Sequence, residues 1–527
     1  MQTRNLLYVV GLVLLVSLHA FAEMAVTFYG GAGCVGGSCA LVESGGTRIL
    51  IDCGTMYGDE TVSTNAQTFS GFGFPPKSVE HIIITHAHQD HSGRVPEIVR
   101  AGFNGTIWMT PPTKTLLGIT WRSQLVYDDS IKREWRWTAK TRSRKGERRR
   151  PAHWRRDCEW AEKIAAHNLM KFTGTRSELD AYVARNSATG VNLYACQFCL
   201  DREVEDLMWH VRTVPFGEKR EIGPISVTFR PVKHIPGAAA VYLGDGTTTL
   251  AFSGDLGTLR SHFVKEIEPA RKVDALFIES TYGDSSRGST AETAAEYARF
   301  RVDVGSAVRS GGIAWVPAFA LDRTQRVLFE IQRGRESGEI PTNAPVYMLS
   351  SSARDLTRAY LANPDWFDVD IASTSNLFSR CKTSFKPSIR KPHGAVLLTT
   401  SGMVNAGSSL HLLPELVTNE AVRVCLVGYQ SPGSYGYLLR KGTKELRIGK
   451  RARPVRCTVS NYHCFSGHGD AKDNDAWLAN NRDSRIYLIH GDPDNLNARR
   501  KGLSERLGCT AEVVEPFKRY VFPQTSR

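Results

Sequence analysis

The feature that most limits what this chain can become is Thr85-His86-Ala87-His88-Gln89-Asp90-His91, set directly after the apolar run Ile82-Ile83-Ile84. Four potential metal ligands fall within six residues at the end of what reads as a buried strand. His86 and His88, two apart, point the same way only on extended backbone, so Asp90 and His91 belong to a turn and residues 92–97 can start a helix. Imidazoles and a carboxylate fanned into one pocket make a chelate for Zn, Fe or Ni.

More acid–base groups arrive the same way. The apolar run 249–252 delivers Asp255, 275–278 delivers Glu279, and 485–489 delivers His490. His234 follows the alternating stretch 225–229, and Asp52 leaves the strand 47–52 at a glycine turn, where it reads equally well as a turn former. Ligands at strand ends along one sheet edge are a rigid way to build a site.

At 527 residues the chain is too long for one ordinary core. With 41% hydrophobic and 23% charged residues it is globular. The texture changes at about 285 to alternating helix and buried strand. Helices are expected at 291–308 and 323–332, and strands at 312–317, 345–349, 394–399 and 422–427, which implies a separate parallel α/β domain. Two of its strands run into glycine-bearing turns, 401–407 and 428–433, able to offer backbone N–H groups to phosphate.

The formal charge is +14, and residues 132–156 carry twelve Lys/Arg against Glu134 and Glu147, a net +10 of that total. Such a chain favours acidic partners, nucleic acid before anionic membrane. Five of the ten tryptophans lie in or beside this segment. Interleaved cations and aromatics suit single-stranded nucleic acid, and equally suit a solvated insertion anchored by its tryptophans. Residues 113–220 as a whole read as mostly helical and polar. The eleven cysteines, an odd and scattered set, describe no disulfide framework, and Cys196-Gln197-Phe198-Cys199 lacks a second pair to complete a zinc site.

Residues 1–23 look like a secretory signal: Arg4, an apolar run over 6–18, then Ala20-Phe21-Ala22. The run is too short to span a bilayer. Export to a periplasmic or secreted location follows if this segment is real, with no stable membrane insertion after its removal. A cytoplasmic protein translated from Met24 is the alternative.

Taken together, these residues resemble the β-CASP group of metallo-β-lactamase-fold nucleases from Met24 to about residue 500. Asp52 matches the first motif, His86-His88-Asp90-His91 the second, His234 the third and Asp255 the fourth. Glu279 in Glu-Ser-Thr-Tyr-Gly matches motif A, His468 in Phe-Ser-Gly-His-Gly-Asp motif B, and His490 in Ile-His-Gly-Asp motif C.

The resemblance implies a four-layer αββα domain from residues 24–283 and 458–527, with a β-CASP cap inserted over 284–457 and a basic insertion at about 130–160. It implies two Zn2+, one held by His86, His88 and His234, the other by Asp90, His91 and His490, with Asp255 bridging. Asp52 and Asp90 would support catalysis, and His468 would be the general acid, oriented by Glu279. Substrate contacts would come from Arg323, Ser401 and Gly402, joined by Arg148, Arg149 and Arg150 of the insertion.

The implied reaction is hydrolysis of RNA by a two-metal-activated hydroxide. Single-stranded DNA is a further candidate substrate, and the motif C histidine favours RNA. No small organic cofactor is implied, and an oligomer is compatible with the sequence. The competing readings are a small-molecule hydrolase on the same core, against which the cap motifs and localised charge argue, and a non-catalytic RNA-binding protein, which would need no complete ligand set.

Overall fold

The computed structural model describes residues 23–56, 71–125, 204–260, 263–265, 267–385 and 394–522. The signal-like segment up to residue 22, the basic segment with Arg148, Arg149 and Arg150, and the Cys196–Cys199 pair lie outside the described residues. Two compact units result, Met1–Thr115 with Arg212–Arg527, and Leu116–Val211. In the second, the described residues are helical over 116–125 and 204–209. The helical expectation for 113–220 gives way at Val211–Thr213 and Lys219–Ile222, which are strands.

The first unit begins as a sandwich of two seven-stranded sheets. One sheet runs, in spatial order, Arg519–Phe522, Met24–Gly30, Cys39–Ser44, Thr47–Ile51, His81–Ile83, Thr106–Met109 and Val211–Thr213. The other runs Ala511–Val513, Arg485–Ile489, Ala275–Glu279, Thr249–Phe252, Ala239–Gly244, Ile225–Pro231 and Lys219–Ile222. Both sheets are mixed, with antiparallel hairpins and parallel pairs such as Ala275–Glu279 beside Arg485–Ile489.

Period-2 side chains explain why the sheets face each other. Val26, Phe28, Val42, Ile49 and Ile51 from one meet Val227, Phe229, Val241, Phe252 and Phe277 from the other in a single core. Phe252 and Phe277 stack at 4.7 Å between ring centroids, with Tyr487 on the far side of Phe277 at 4.9 Å. Each such side chain contributes about 1.5–3 kcal/mol on burial, so the sandwich is a stiff platform for whatever its strand ends carry.

The cap is a five-stranded, all-parallel sheet in the order Val346–Met348, Ala395–Thr399, Ile313–Pro317, Val422–Leu426 and Thr458–Asn461. Its fifth strand comes from beyond residue 457, so the return to the sandwich falls a few residues later than the boundary read from sequence. The long helix Thr290–Arg309 opens with a capping box: Ser289 accepts from the Glu292 N–H, and the Glu292 side chain accepts from the Ser289 N–H. Phe300, Val304 and Val308 on that helix and Val327, Leu328 and Ile331 on helix Arg323–Glu336 fill one face of the sheet. Among the described residues no helix is long and apolar enough to cross a membrane.

Candidate metal centre

Five chain segments meet at one edge of the sandwich. The strand His81–Ile83 runs into the histidine-rich turn, with the short helix Gln89–Ser92 placing Asp90 and His91. His234 follows strand Ile225–Pro231, Asp255 follows Thr249–Phe252, and His490 follows Arg485–Ile489. His490 and Asp52 both adopt positive φ (50° and 60°), which turns them sharply out of their strands.

The donor atoms form two sets. In the first, His88 Nδ1 lies 3.1 Å from both His86 Nε2 and His234 Nε2, and Asp255 Oδ2 lies 3.5 Å from each of those two nitrogens. Edges of a tetrahedron around zinc at about 2.0–2.1 Å come to roughly 3.3–3.4 Å, so this spacing suits zinc better than any hydrogen-bonding scheme among imidazoles. In the second set, Asp90, His91 and His490 converge. Asp255 reaches it with its other oxygen, Oδ1, 3.2 Å from His91 Nε2 and 3.5 Å from His490 Nδ1.

Asp255 is the residue on which the fit to metal rests. It is buried, and neither carboxylate oxygen accepts a hydrogen bond; His91 Nε2 is likewise buried without one. An ionised carboxylate shut away from water without donors is costly unless a cation compensates it. Burial opposes its charge, yet His91, His490 and His468 hold Asp255 well below the usual carboxylate range. Burial pushes His86, His88 and His234 down, keeping them in the neutral form that ligates metal. His91 and His490 go up despite burial, His91 under Asp255 and Asp52, His490 under Asp255 and Asp90.

Supporting residues fix these rings. Asp52 Oδ2 lies 2.6 Å from His91 Nδ1, and Asp52 also accepts from the Thr85 N–H at 2.8 Å and the Thr85 hydroxyl at 3.0 Å. Thr85 Oγ1 is 3.1 Å from His86 Nδ1 as well, so one hydroxyl touches the supports of both sets. Thr85 was not singled out from sequence; its place immediately before the histidine run was the available signal. The Gly36 N–H, in the glycine-rich loop, reaches His490 Nε2 at 3.2 Å.

Glu279 and His468 stand at the open side. Glu279 is buried; its Oε1 accepts from the Leu256 N–H and lies 3.2 Å from His468 Nδ1, while Oε2 accepts from the Thr281 N–H. That leaves His468 Nε2 facing the cluster, 3.8 Å from Asp255 Oδ2, on a side chain 18% exposed. Tyr282 stands edge-on to His468 at 6.1 Å and donates to Ser466 Oγ.

The cap contributes the carboxyl ends of its sheet. The turns after Ile313–Pro317, Ala395–Thr399 and Val422–Leu426 meet there, at the edge where open parallel sheets bind ligands. Gln430 Nε2 donates to the carbonyls of Gly402 and Gly428, tying two turns together. A side chain on Gly402 would come within 3.0 Å of the Phe319 nitrogen, so any other residue would have to push that backbone back by a few tenths of an ångström. Ser401 shares this turn, its N–H donating to Ala406. Arg326, held by Asp322, donates to the His234 carbonyl at 3.3 Å, which seats the cap edge on the metal-ligand loop. Arg323 heads helix Arg323–Glu336; its Nε and Nη1 are buried with no hydrogen-bond partner, and burial pulls its pKa down.

The structure therefore brings Asp52, His86, His88, Asp90, His91, His234, Asp255, Glu279, His468 and His490 into one site, while Arg323, Ser401 and Gly402 lie at the carboxyl edge of the cap sheet. Arg148, Arg149 and Arg150 lie outside the described residues. Residues 32–304 match the metallo-beta-lactamase superfamily, residues 324–439 the Beta-Casp domain, and residues 453–515 the Zn-dependent metallo-hydrolase RNA specificity domain. The chain belongs to the β-CASP family of metallo-β-lactamase-fold proteins.

Its relatives cover nearly the whole chain. It is 26% identical over 497 residues to Ribonuclease TTHA0252 of Thermus thermophilus, covering 92% of this chain and 96% of that one. It is 27% identical over 493 residues to the transcription termination factor FttA of Methanosarcina mazei, covering 89% of this chain and 67% of that protein. An RNase J-like protein of Methanocaldococcus jannaschii is 25% identical over 450 residues, 84% of this chain and 86% of its own. With its His/Asp clusters, this β-CASP protein is a metallo-hydrolase by family and by donor set.

Proposed function

We propose that this β-CASP protein is a zinc-dependent phosphodiesterase that hydrolyses RNA. The observation that carries the reading is Asp255, buried between two donor sets with both oxygens lacking a hydrogen-bond donor. The RNA specificity domain and the ribonuclease among its relatives support the substrate class.

His86, His88, His234 and Asp255 would hold one zinc; Asp90, His91, His490 and again Asp255 the other. Bound there, the ions would make water acidic enough to attack phosphorus near neutral pH and would offset charge on the phosphoryl oxygens. The protein's own groups do the rest. Asp52 fixes the ring of His91 and so the donor atom it presents. Glu279 takes the Nδ1 side of His468, leaving Nε2 to carry the proton that the departing 3′-oxygen needs. Partial exposure of His468 lets solvent return that proton after each turnover. Arg323 and the turn at Ser401-Gly402 would hold the phosphates flanking the cut.

Incubating purified protein with 5′- and 3′-labelled RNA and DNA tests this. Cleavage of RNA is expected, abolished by chelator and restored by zinc, with about two zinc ions per chain. His88→Ala should end cleavage while RNA is still bound. Hydrolysis of a β-lactam or thioester with oligonucleotides untouched would overturn the reading. The compartment is a separate proposal: N-terminal sequencing of native protein beginning at Glu23 supports export, whereas Met24 supports a cytoplasmic start.

A further inference from the structure

The densest described run of positive charge is not at the metal centre. Residues 440–456 carry eight cations, Arg440, Lys441, Lys444, Arg447, Lys450, Arg451, Arg453 and Arg456, against Glu445 alone, a net +7. They straddle a two-stranded antiparallel hairpin on the cap, Glu445–Ile448 with Arg451–Pro454, closed by the turn Gly449-Lys450. Seven of the eight are exposed and Arg453 is half-buried. Among the described residues none of them forms an ion pair, although Arg230, Arg260, Arg301, Arg326, Arg499 and Arg506 all do.

The hairpin is held in place. Leu446 is buried in the cap core with Ile448 and Val455 against it, and the Arg456 N–H donates to Val417 at 2.7 Å. Cross-strand partners share a face, so Arg447 opposite Ala452 points one way, and Arg451 and Arg453, opposite Ile448 and Leu446, lie on the other. Like charges this close repel, and a fixed, uncompensated array gains most from a polyanion that displaces its counterions. Aromatics are interleaved: Arg440 and Lys441 lie over the Tyr437 ring at 5.3 and 5.6 Å.

The array also connects to the cleft. Arg440 ends helix Tyr435–Arg440 and acts electrostatically on Tyr429, in the glycine turn of the cap edge. Tyr429 is 38% exposed and feels the charge of Asp492, which is two residues from His490. Tyr429 also feels Tyr282, which flanks His468. Arg440 stands at the end of the helix that follows this turn, where the hairpin begins.

We infer that the 440–456 hairpin is a second docking surface for the sugar-phosphate backbone of the RNA whose cleavage is proposed above, gripping the strand beyond the cleft. The test is fluorescence anisotropy of the full-length, metal-loaded protein with phosphorothioate-linked single-stranded RNA, which keeps its charge and resists cutting. Failure of the hydrolase reading shows separately, in the cleavage assay. Substituting Arg447→Gln, Lys450→Gln and Arg451→Gln together should weaken binding of a long RNA roughly tenfold at low salt and flatten its log–log salt dependence by about 2, at ~0.7 per lost phosphate contact. A variant with Arg447→Lys and Arg451→Lys should keep the wild-type slope. Unchanged affinity and slope in the triple variant overturn the inference. So does loss of binding to phosphatidylglycerol vesicles with RNA binding intact, which would assign the hairpin to a membrane surface.

Discussion

Asp52 holds His91 through a 2.6 Å contact between its Oδ2 and the ring Nδ1, with both side chains buried. Its other contacts, to Thr85 and Ser38, leave no freedom to turn towards a substrate. Asp52 therefore positions a ligand, and Asp52→Asn should release that ring. Metal at the Asp90–His91–His490 set should weaken about 10–100-fold. Elemental analysis after dialysis should fall from about two zinc ions per chain towards one. Retention of both ions with unchanged turnover would refute the assignment.

Asp255 lacks donors on both oxygens, so metal should be a large part of this protein's stability. At a thousandfold excess over its dissociation constant, one bound ion contributes about 4 kcal/mol. Chelation should lower the thermal midpoint by several degrees. Asp255→Asn removes the buried charge that wants a cation, and its midpoint should hardly respond to chelator. An equal response in both proteins would place the metal elsewhere.

Arg323 predicts stability and function moving in opposite directions. Two of its three guanidinium nitrogens are buried without partners. Arg323→Gln removes an incompletely paired buried charge and should leave the chain as stable or slightly more so. The KM for RNA should nonetheless rise about tenfold, equivalent to roughly 1.4 kcal/mol, with kcat changed far less. A fall in stability with an unaltered KM would make Arg323 a structural residue.

Asp470 offers a pH-resolved test of the motif B loop. It caps helix Ala471–Trp477, accepts from the Arg287 N–H at 2.8 Å and pairs with Arg260 at 2.7 Å. Burial works against its charge, but the N–H groups of Arg287 and Asp473 and the Arg260 guanidinium lower its pKa. A carboxyl depressed on folding stabilises above its unfolded value, about 3.9, and that contribution fades as pH falls through the folded value. Asp470→Asn should cost about 1–2 kcal/mol in urea unfolding, constant from pH 7 to 5 and shrinking only below about 4. A gap already closed at pH 5 would contradict this.

Much of the site could be read from the chain because each ligand leaves an apolar strand at a marked position: Asp255 after 249–252, His490 after 485–489, the histidine run after 81–83. Asp255, Glu279 and His490 follow parallel strands of one sheet and so share its edge, whereas the histidine run leaves the other sheet and meets them only because the two sheets pack face to face. Asp52 was ambiguous as a residue in a glycine turn; only its distance to His91 decides what it does. Thr85, Gly36 and Arg326 support the site through backbone groups or a hydroxyl, contacts that leave no signature in residue type. Charge was legible only in part. The run at 132–156 stands out in the sequence and lies outside the described residues, while residues 440–456 hold eight cations spread thinly enough to pass as a polar loop until the hairpin gathers them.

One pairing has a consequence for how the molecule is born. Met24–Gly30, the first described strand to be made, pairs with Arg519–Phe522, and His490 is made about 400 residues after His86. The cap, local in sequence, can fold while the sandwich still waits for its last edge. A chain released before residue 490 thus lacks one imidazole of the second donor set, and that set stays incomplete however well the earlier strands have folded.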